Sequence, residues 1–257
     1  MLACLIVCIV LYTKRDIYLS LPEIRKLKLA PNPYPLVLSL SATPSRLKSI
    51  VPDILDVVAN QFAHVRINLP ALFRNKEPYD PLTICRLQEI PNVHIAWGGY
   101  DYGPLMKVLP TMHTFSASSL KAIVSIDDDI FYSPHLAQNA MQLANDAVYS
   151  GNIQITKTLR IPFGADVIVY PIPFLSQQFL ATLEYLAGTP CRMHDDMMVA
   201  IACKSHGIPV RNCKRVRISQ TREQYSSESL VASTNRDVLS RSCDAVYRTS
   251  KEFHLLN

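Results

Sequence analysis

An apolar run, Ile123-Val124-Ser125-Ile126, ends in three consecutive carboxylates, Asp127-Asp128-Asp129, and Ile130-Phe131-Tyr132-Ser133-Pro134 follow. A short apolar run bounded by polar residues reads as a fully buried strand, here Lys121 to Ile126. Three adjacent aspartates repel one another and pack poorly, so the strand must deliver them to an edge. A cation, or a ligand that carries one, relieves the repulsion. In an open α/β sheet, ligands gather outside the carboxyl ends of the strands. Hard divalent cations take carboxylate oxygens together with phosphate oxygens and water, and a nucleotide diphosphate supplies the latter part of that shell. The plainer alternative is a solvated turn whose aspartates cap the helix ahead of Ser133-Pro134.

The segments around this strand set the fold class. Pro31, Pro33 and Pro35 mark an extended approach to a buried first strand, Leu36 to Ser41. The turn Ala42 to Arg46 follows, then a helix from about Arg46 to Asn60, with Ser45 as its N-cap and Pro52 forcing a kink or a later start. His64 to Leu69 and Val93 to Trp97 read as the second and third strands. Strand, helix, strand in this order predicts an α/β domain with a Rossmann-type, mostly parallel sheet flanked by helices. Further helices are expected at Leu82–Glu89, Pro104–Phe115, Pro134–Ser150 (stopped by Gly151), Phe174–Leu186 and Asp195–Ser205. Further strands are expected at Ile153–Thr158, Asp166–Tyr170 and Ile208–Val210.

With 257 residues, 49% of them hydrophobic and 18% charged, the chain can bury one substantial core. The organisation expected is an apolar segment and stem over 1–34, then a single folded domain over 35–257, which the resemblance described below implies to be catalytic. A net charge of +5 suits anionic small molecules and is too weak to argue for nucleic acid. The seven cysteines contain no C-x-x-C pair, which excludes the usual structural zinc pattern, and their scattered spacing does not point to either redox compartment. There is no Asn-x-Ser/Thr sequon. Met1 to Tyr12 is apolar and is followed by Lys14-Arg15. That is shorter than the roughly 20 residues of a membrane span, and its charge lies after the apolar run rather than before it. It predicts membrane association through residues 2–12, as an anchor or signal in the secretory pathway (Golgi or endoplasmic reticulum), with the cytoplasm as the alternative.

Other residues are candidates because of where they fall. Asp195-Asp196 stand at a helix start, where carboxylates are favoured for capping alone. A like-charged, partly desolvated pair also makes one of them a candidate general base, with His194 as an alternative. Lys107, after Tyr102-Gly103-Pro104, can reach a phosphate from a helix start, although most helical lysines are simply solvated. Gly164 permits close backbone approach to a ligand or makes a turn. The basic stretch Lys214 to Arg222 can cover a diphosphate or be a solvated face. The other histidines form no zinc pattern, and only His254 comes late enough to return to a metal at the acidic tip.

Together these motifs resemble those of GT-A-type glycosyltransferases. The opening strand and turn, Ser39-Leu40-Ser41-Ala42-Thr43-Pro44-Ser45-Arg46, are similar to that family's Thr-Pro-x-Arg element. Asp101-Tyr102-Gly103-Pro104-Leu105-Met106-Lys107 resembles a Gly-Pro-x-x-Lys element of some members. Asp127-Asp128-Asp129 matches the DxD motif, and His194-Asp195-Asp196 resembles the later acidic pair. The likeness covers most of Leu36 to Val210. It implies a GT-A-like fold and transfer of a sugar from a UDP-, GDP- or dTDP-linked donor to an acceptor hydroxyl on a glycan, glycoprotein or glycolipid, with inversion and with Mn²⁺ or Mg²⁺. Under it, Asp129 holds the metal with Asp127, and Asp127 also contacts the nucleotide. Asp128, Lys107, Thr43, Arg46 and Gly164 complete the donor site, and Asp196 or Asp195 is the base. The family's later histidine has no counterpart here other than distant His254.

Two rivals share these features. A metal-dependent phosphohydrolase or nuclease also clusters aspartates at strand ends, but the first strand here ends in Ser41-Ala42-Thr43, without one. A non-catalytic nucleotide-sugar-binding protein would carry the same motifs.

Overall fold

The computed structural model describes residues 33–49, 51–71, 77–163, 167–213, 220–221 and 243. The apolar segment 2–12, Gly164, His254 and the basic stretch 214–219 with Arg222 lie outside them. Among the described residues no helix is long and apolar enough to cross a membrane.

Strands β1 (Tyr34–Leu40), β2 (Phe62–Pro70), β3 (Val93–Gly98) and β4 (Ala122–Ser125) pair in parallel, with β1 between β2 and β4. β9 (Ile168–Pro171) runs antiparallel against β4. β6 (Val148–Ser150) runs antiparallel against β9, and β10 (Val210–Asn212) runs parallel to β6. The sheet order is β10-β6-β9-β4-β1-β2-β3, so only β9 is reversed. The expected α/β fold with a mostly parallel, Rossmann-type sheet is the one observed. Two small pairs complete the β structure: β7 (Ile153–Ile155) with β8 (Arg160–Pro162), and β5 (Ile130–Phe131) with β11 (Gln220–Thr221).

Alternation along the strands builds a core on each face, as period-2 side chains require. Leu36, Leu38, Leu40, Val65, Ile67, Leu69 and Val124 face one side. There they meet helices α1 (Pro44–Ser49), α2 (Val51–Val58) and α5 (Leu136–Met141). Val37, Ile123, Ile168 and Tyr170 face the other side. They pack on α4 (Leu109–Phe115), α6 (Gln177–Ala187) and α7 (Asp195–Ser205). Helix α3 (Pro81–Gln88) is capped by Asp80, whose carboxylate accepts from the Leu82 and Thr83 N–H groups.

Several sequence expectations are corrected. The helix expected from Arg46 is two helices, with Pro52 as the second residue of α2, where a missing N–H costs nothing. Its cap is Thr43 rather than Ser45: the Thr43 hydroxyl accepts from Arg46 N–H at 3.3 Å and Pro44 takes the first helical position. The helix expected over Pro104–Phe115 is a 3-10 turn, Gly103–Lys107, followed by α4 with Pro110 as its second residue. Proline lacks the N–H that a continuous helix would need there.

The largest difference falls at Pro134–Ser150. Its helix stops at Met141, and Val148–Ser150 form a strand. Here tertiary pairing overrides helical periodicity. Val148 and Ser150 are fully buried, and the Ser150 hydroxyl lies within hydrogen-bond reach of the carbonyls of Asn152 and Phe163. The single strand expected over Ile153–Thr158 is the β7–β8 hairpin, held at its turn by Thr156.

Candidate functional site at the carboxyl edge of the sheet

Strands β1 to β4 all end at one edge, and the acidic triplet emerges there. Ile126 extends the pairing of β4 by one residue, its N–H reaching Ser39 O at 3.0 Å. The chain then turns through Asp127–Asp129. Tyr132, buried, fixes the turn: its phenol oxygen accepts from Asp127 N–H at 2.8 Å. The second aromatic residue after the triplet thus braces the tip from within.

The repulsion within the triplet is answered largely by the chain's own cations. Arg46, buried on α1, donates from Nη1 to Asp128 Oδ1 at 2.8 Å and from Nη2 to Asp129 Oδ2 at 3.1 Å. The second oxygen of Asp128 accepts from Thr43 N–H at 3.2 Å. Thr43, Arg46, Asp128 and Asp129 therefore form one knot joining the β1 turn to the β4 tip. Burial pushes the Asp128 carboxyl up to about 6, against the pull of Arg46 and with the help of its neighbours Asp129 and Asp127. Asp129 is raised for the same leading reason.

Lys107 serves the third aspartate and reaches a further one. Its Nζ lies 2.9 Å from Asp127 Oδ1 and 2.7 Å from Asp195 Oδ2. Burial would drive its proton off, but Asp127, Asp195 and Asp196 outweigh that and raise its pKa, so the ammonium persists. Beneath it lies a polar layer in which the hydrogens can be assigned. The Ser39 hydroxyl has one proton and gives it to Lys107 O at 2.6 Å. Thr111 then donates to Ser39 across 2.6 Å. Asn68 Nδ2 donates to both hydroxyl oxygens, at 3.2 and 2.8 Å, while its Oδ1 accepts from Arg66. Lys107 is thereby aimed from its own backbone.

Asp195 and Asp196 open α7, as expected, where the helix dipole favours carboxylates. The segment before them, a 3-10 turn at Pro190–Met193, packs on the 3-10 turn Gly103–Lys107. Gly103 has φ +62°, and a Cβ there would lie 3.1 Å from Arg192 O. Glycine suits both the backbone conformation and the approach, whereas any side chain would be strained there and would need Arg192 O to give by a few tenths of an ångström.

The structure thus brings Thr43, Arg46, Lys107, Asp127, Asp128, Asp129, Asp195 and Asp196 to one edge. Asp127 keeps the most solvent exposure of the acids paired to Arg46 and Lys107, 27% of its side chain against 10% for Asp128, 18% for Asp129 and 15% for Asp195.

Two features carried no sequence signal. Tyr79, in the long connection after β2, donates to Ala42 O at 3.0 Å and stacks edge-on with Trp97, which is half exposed. These rings wall the site on the β3 side. Tyr170 on β9 is fully buried, and its hydroxyl meets no hydrogen-bond partner among the described residues; nor does that of Ser125. Burial raises Tyr170 well above the usual phenol value, Lys107 opposing and Asp195 adding. Its hydroxyl is thus electrostatically close to the Lys107–Asp195 pair.

Among the described residues no group of three or more His, Cys, Asp or Glu side chains is arranged around a metal position. The tip can offer a divalent ion Asp127 and Asp129. One or two carboxylates suit Mg²⁺ or Mn²⁺ when phosphate and water oxygens supply the remainder, so the donor set fits an ion that arrives with a diphosphate.

What fold and site define is a Rossmann-type α/β domain whose carboxyl edge holds two acidic elements bridged by one lysine. No protein-family model matches the chain, and no curated protein matches it in sequence.

Proposed function

We propose that the chain is an inverting glycosyltransferase that moves a sugar from a nucleotide-diphosphate donor to an acceptor hydroxyl with Mn²⁺ or Mg²⁺. The observation that carries this reading is the Lys107 bridge, 2.9 Å to Asp127 and 2.7 Å to Asp195. It puts the acidic tip and the acidic helix start within one side chain's reach, as a donor wall and an acceptor wall must be.

In this reading Asp129 and Asp127 hold the metal against the donor diphosphate, and Asp127 also meets the nucleotide. The bound ion would stabilise the charge that grows on the departing diphosphate. Arg46, Thr43 and Asp128 keep the tip in place through the contacts they make to one another. Lys107 holds the tip in register with α7 and offers a positive charge beside the diphosphate. Its contact with Asp195 makes that carboxylate a positioning group, and Asp196, next along the helix start, is assigned to take the proton from the acceptor hydroxyl. The acceptor is a glycan, glycoprotein or glycolipid.

The test is a calorimetric titration with UDP-, GDP- and dTDP-sugars in Mn²⁺. One of them binds in a metal-dependent manner; no metal-dependent response to any of them would sink the proposal. Asp196→Asn then abolishes transfer while leaving donor affinity within a few-fold. Transfer that survives in this variant shows the base to be elsewhere.

A further inference from the structure

Cys191 and Cys243 are joined in a disulfide, 52 residues apart in the chain, with Cα atoms 4.5 Å apart. Both residues are fully buried in the core on the α6–α7 side of the sheet. Cys85, Cys203 and Cys213 are free thiols. Cys191 lies in the 3-10 turn Pro190–Met193, directly before His194-Asp195-Asp196. Besides its Thr189 cap and its packing in the core, that turn is tied to distant parts of the chain in three ways. Covalently it is tied to residue 243. By packing it rests on Gly103, whose missing side chain admits Arg192 O. By charge it ends at Asp195, paired with Lys107. Of the three, only the first depends on redox conditions, and it is the only one that acts on the turn at Cys191 itself.

We propose that oxidation of Cys191 and Cys243 is the step that completes the site, latching the turn that presents Asp195 and Asp196. Two thiols lose two protons and two electrons to the disulfide of an exchange partner, such as glutathione disulfide or a thiol–disulfide oxidoreductase, which leaves as two thiols. The S–S bond forms between Cys191 Sγ and Cys243 Sγ. Before that step the Arg46 half of the tip is in place, because the contacts among Arg46, Thr43, Asp128 and Asp129 involve no residue of the turn. The chain therefore requires an oxidising environment to reach its final form, since reducing cytosol keeps such thiols reduced. The structural claim stands without the proposed reaction; only its consequence for transfer rests on that reading.

The experiment uses the full chain in two pools, one equilibrated with glutathione disulfide and one with a phosphine reductant. Each is analysed by non-reducing peptide mapping and by amide hydrogen exchange. In the oxidised pool, Cys191 and Cys243 emerge in one linked peptide. In the reduced pool, exchange over residues 190–196 is at least tenfold faster while β1 and β4 are unchanged, and reoxidation restores protection. Cys243→Ser shows the same fast exchange in both pools. Recovery of Cys191 or Cys243 as a free thiol from the oxidised pool would overturn the proposal, as would exchange within twofold in the two pools. If Cys243→Ser does not fold, the wild-type pools decide alone. A latch that behaves as stated in a chain that binds no nucleotide-sugar would retain this inference and remove the glycosyltransferase reading.

Discussion

Two cations serve the same edge of the sheet in opposite ways. Arg46 binds neighbours: Asp128 and Asp129 are adjacent in the chain, and both contacts stay within the β4 tip and the β1 turn. Lys107 binds strangers: Asp127 belongs to the tip and Asp195 to α7. The planar fork of arginine suits the first task, because two carboxylates in fixed relation can be met at once. The single point of lysine suits the second, where two independently placed acids converge on one ammonium. Arg46 makes the tip rigid, and Lys107 makes the tip and the helix one site.

The largest effect should come from the bridge. Lys107→Ala leaves Asp127 and Asp195 facing one another without compensation and costs about 3–5 kcal/mol by urea denaturation. Adding Asp195→Asn should recover a large part of that loss, whereas simple additivity of the two changes would mean that the pair is not coupled.

The next effect is a pH dependence. Asp128 binds its proton more tightly in the folded chain, at about 6, than at its ordinary 3.8. Its contribution to stability is therefore fully present below about pH 4 and is lost as pH rises through about 6, by an amount on the order of 3 kcal/mol. Asp128→Asn should flatten that part of the stability profile of the metal-free protein. An unchanged slope would show that Arg46 keeps Asp128 ionised throughout.

Arg46→Lys tests the fork. A single ammonium lacks the two separated nitrogens that meet Asp128 and Asp129, so about 1–2 kcal/mol is lost in thermal unfolding, less than at Lys107 because a charge remains. The smallest change has the opposite sign. Tyr170→Phe removes a buried hydroxyl that meets no protein partner among the described residues and should raise stability by about 1 kcal/mol. A loss instead would show that something outside the described residues, such as an ordered water, satisfies it.

The sheet and the acidic tip were legible for one reason: β1, β2, β3 and β4 are short apolar runs that end in polar turns. The acidic tip sits at such an end, so the strand assignment also places a candidate residue. Asp127 was legible from a strand end and Lys107 and Asp195 from helix starts, but their mutual contacts were not, because pairing across a fold leaves no periodicity. Tyr79 and Tyr170 were invisible for the same reason. The 148–150 strand was hidden by the helical spacing that precedes it, and only its pairing with β9 and β10 explains it. The Cys191–Cys243 bond was beyond reach as well, since seven scattered cysteines permit many pairings, and only the fold, which also buries Cys203 in the same core, sets the Cα atoms of this pair 4.5 Å apart.

The placement of β1 between two parallel neighbours has a consequence for how the chain is made. Val37 can pair with His64 early, but Leu36 must wait for Ala122. At about 5–20 residues per second on the ribosome, that delay is roughly 4 to 17 seconds. For that time the β4-facing side of Leu36-Val37-Leu38-Ser39 is an open edge, apolar on both faces. Such an edge recruits other chains. Refolding yield should therefore fall as protein concentration rises, and synthesis in the cell should lean on whatever shields nascent strands until β4 emerges.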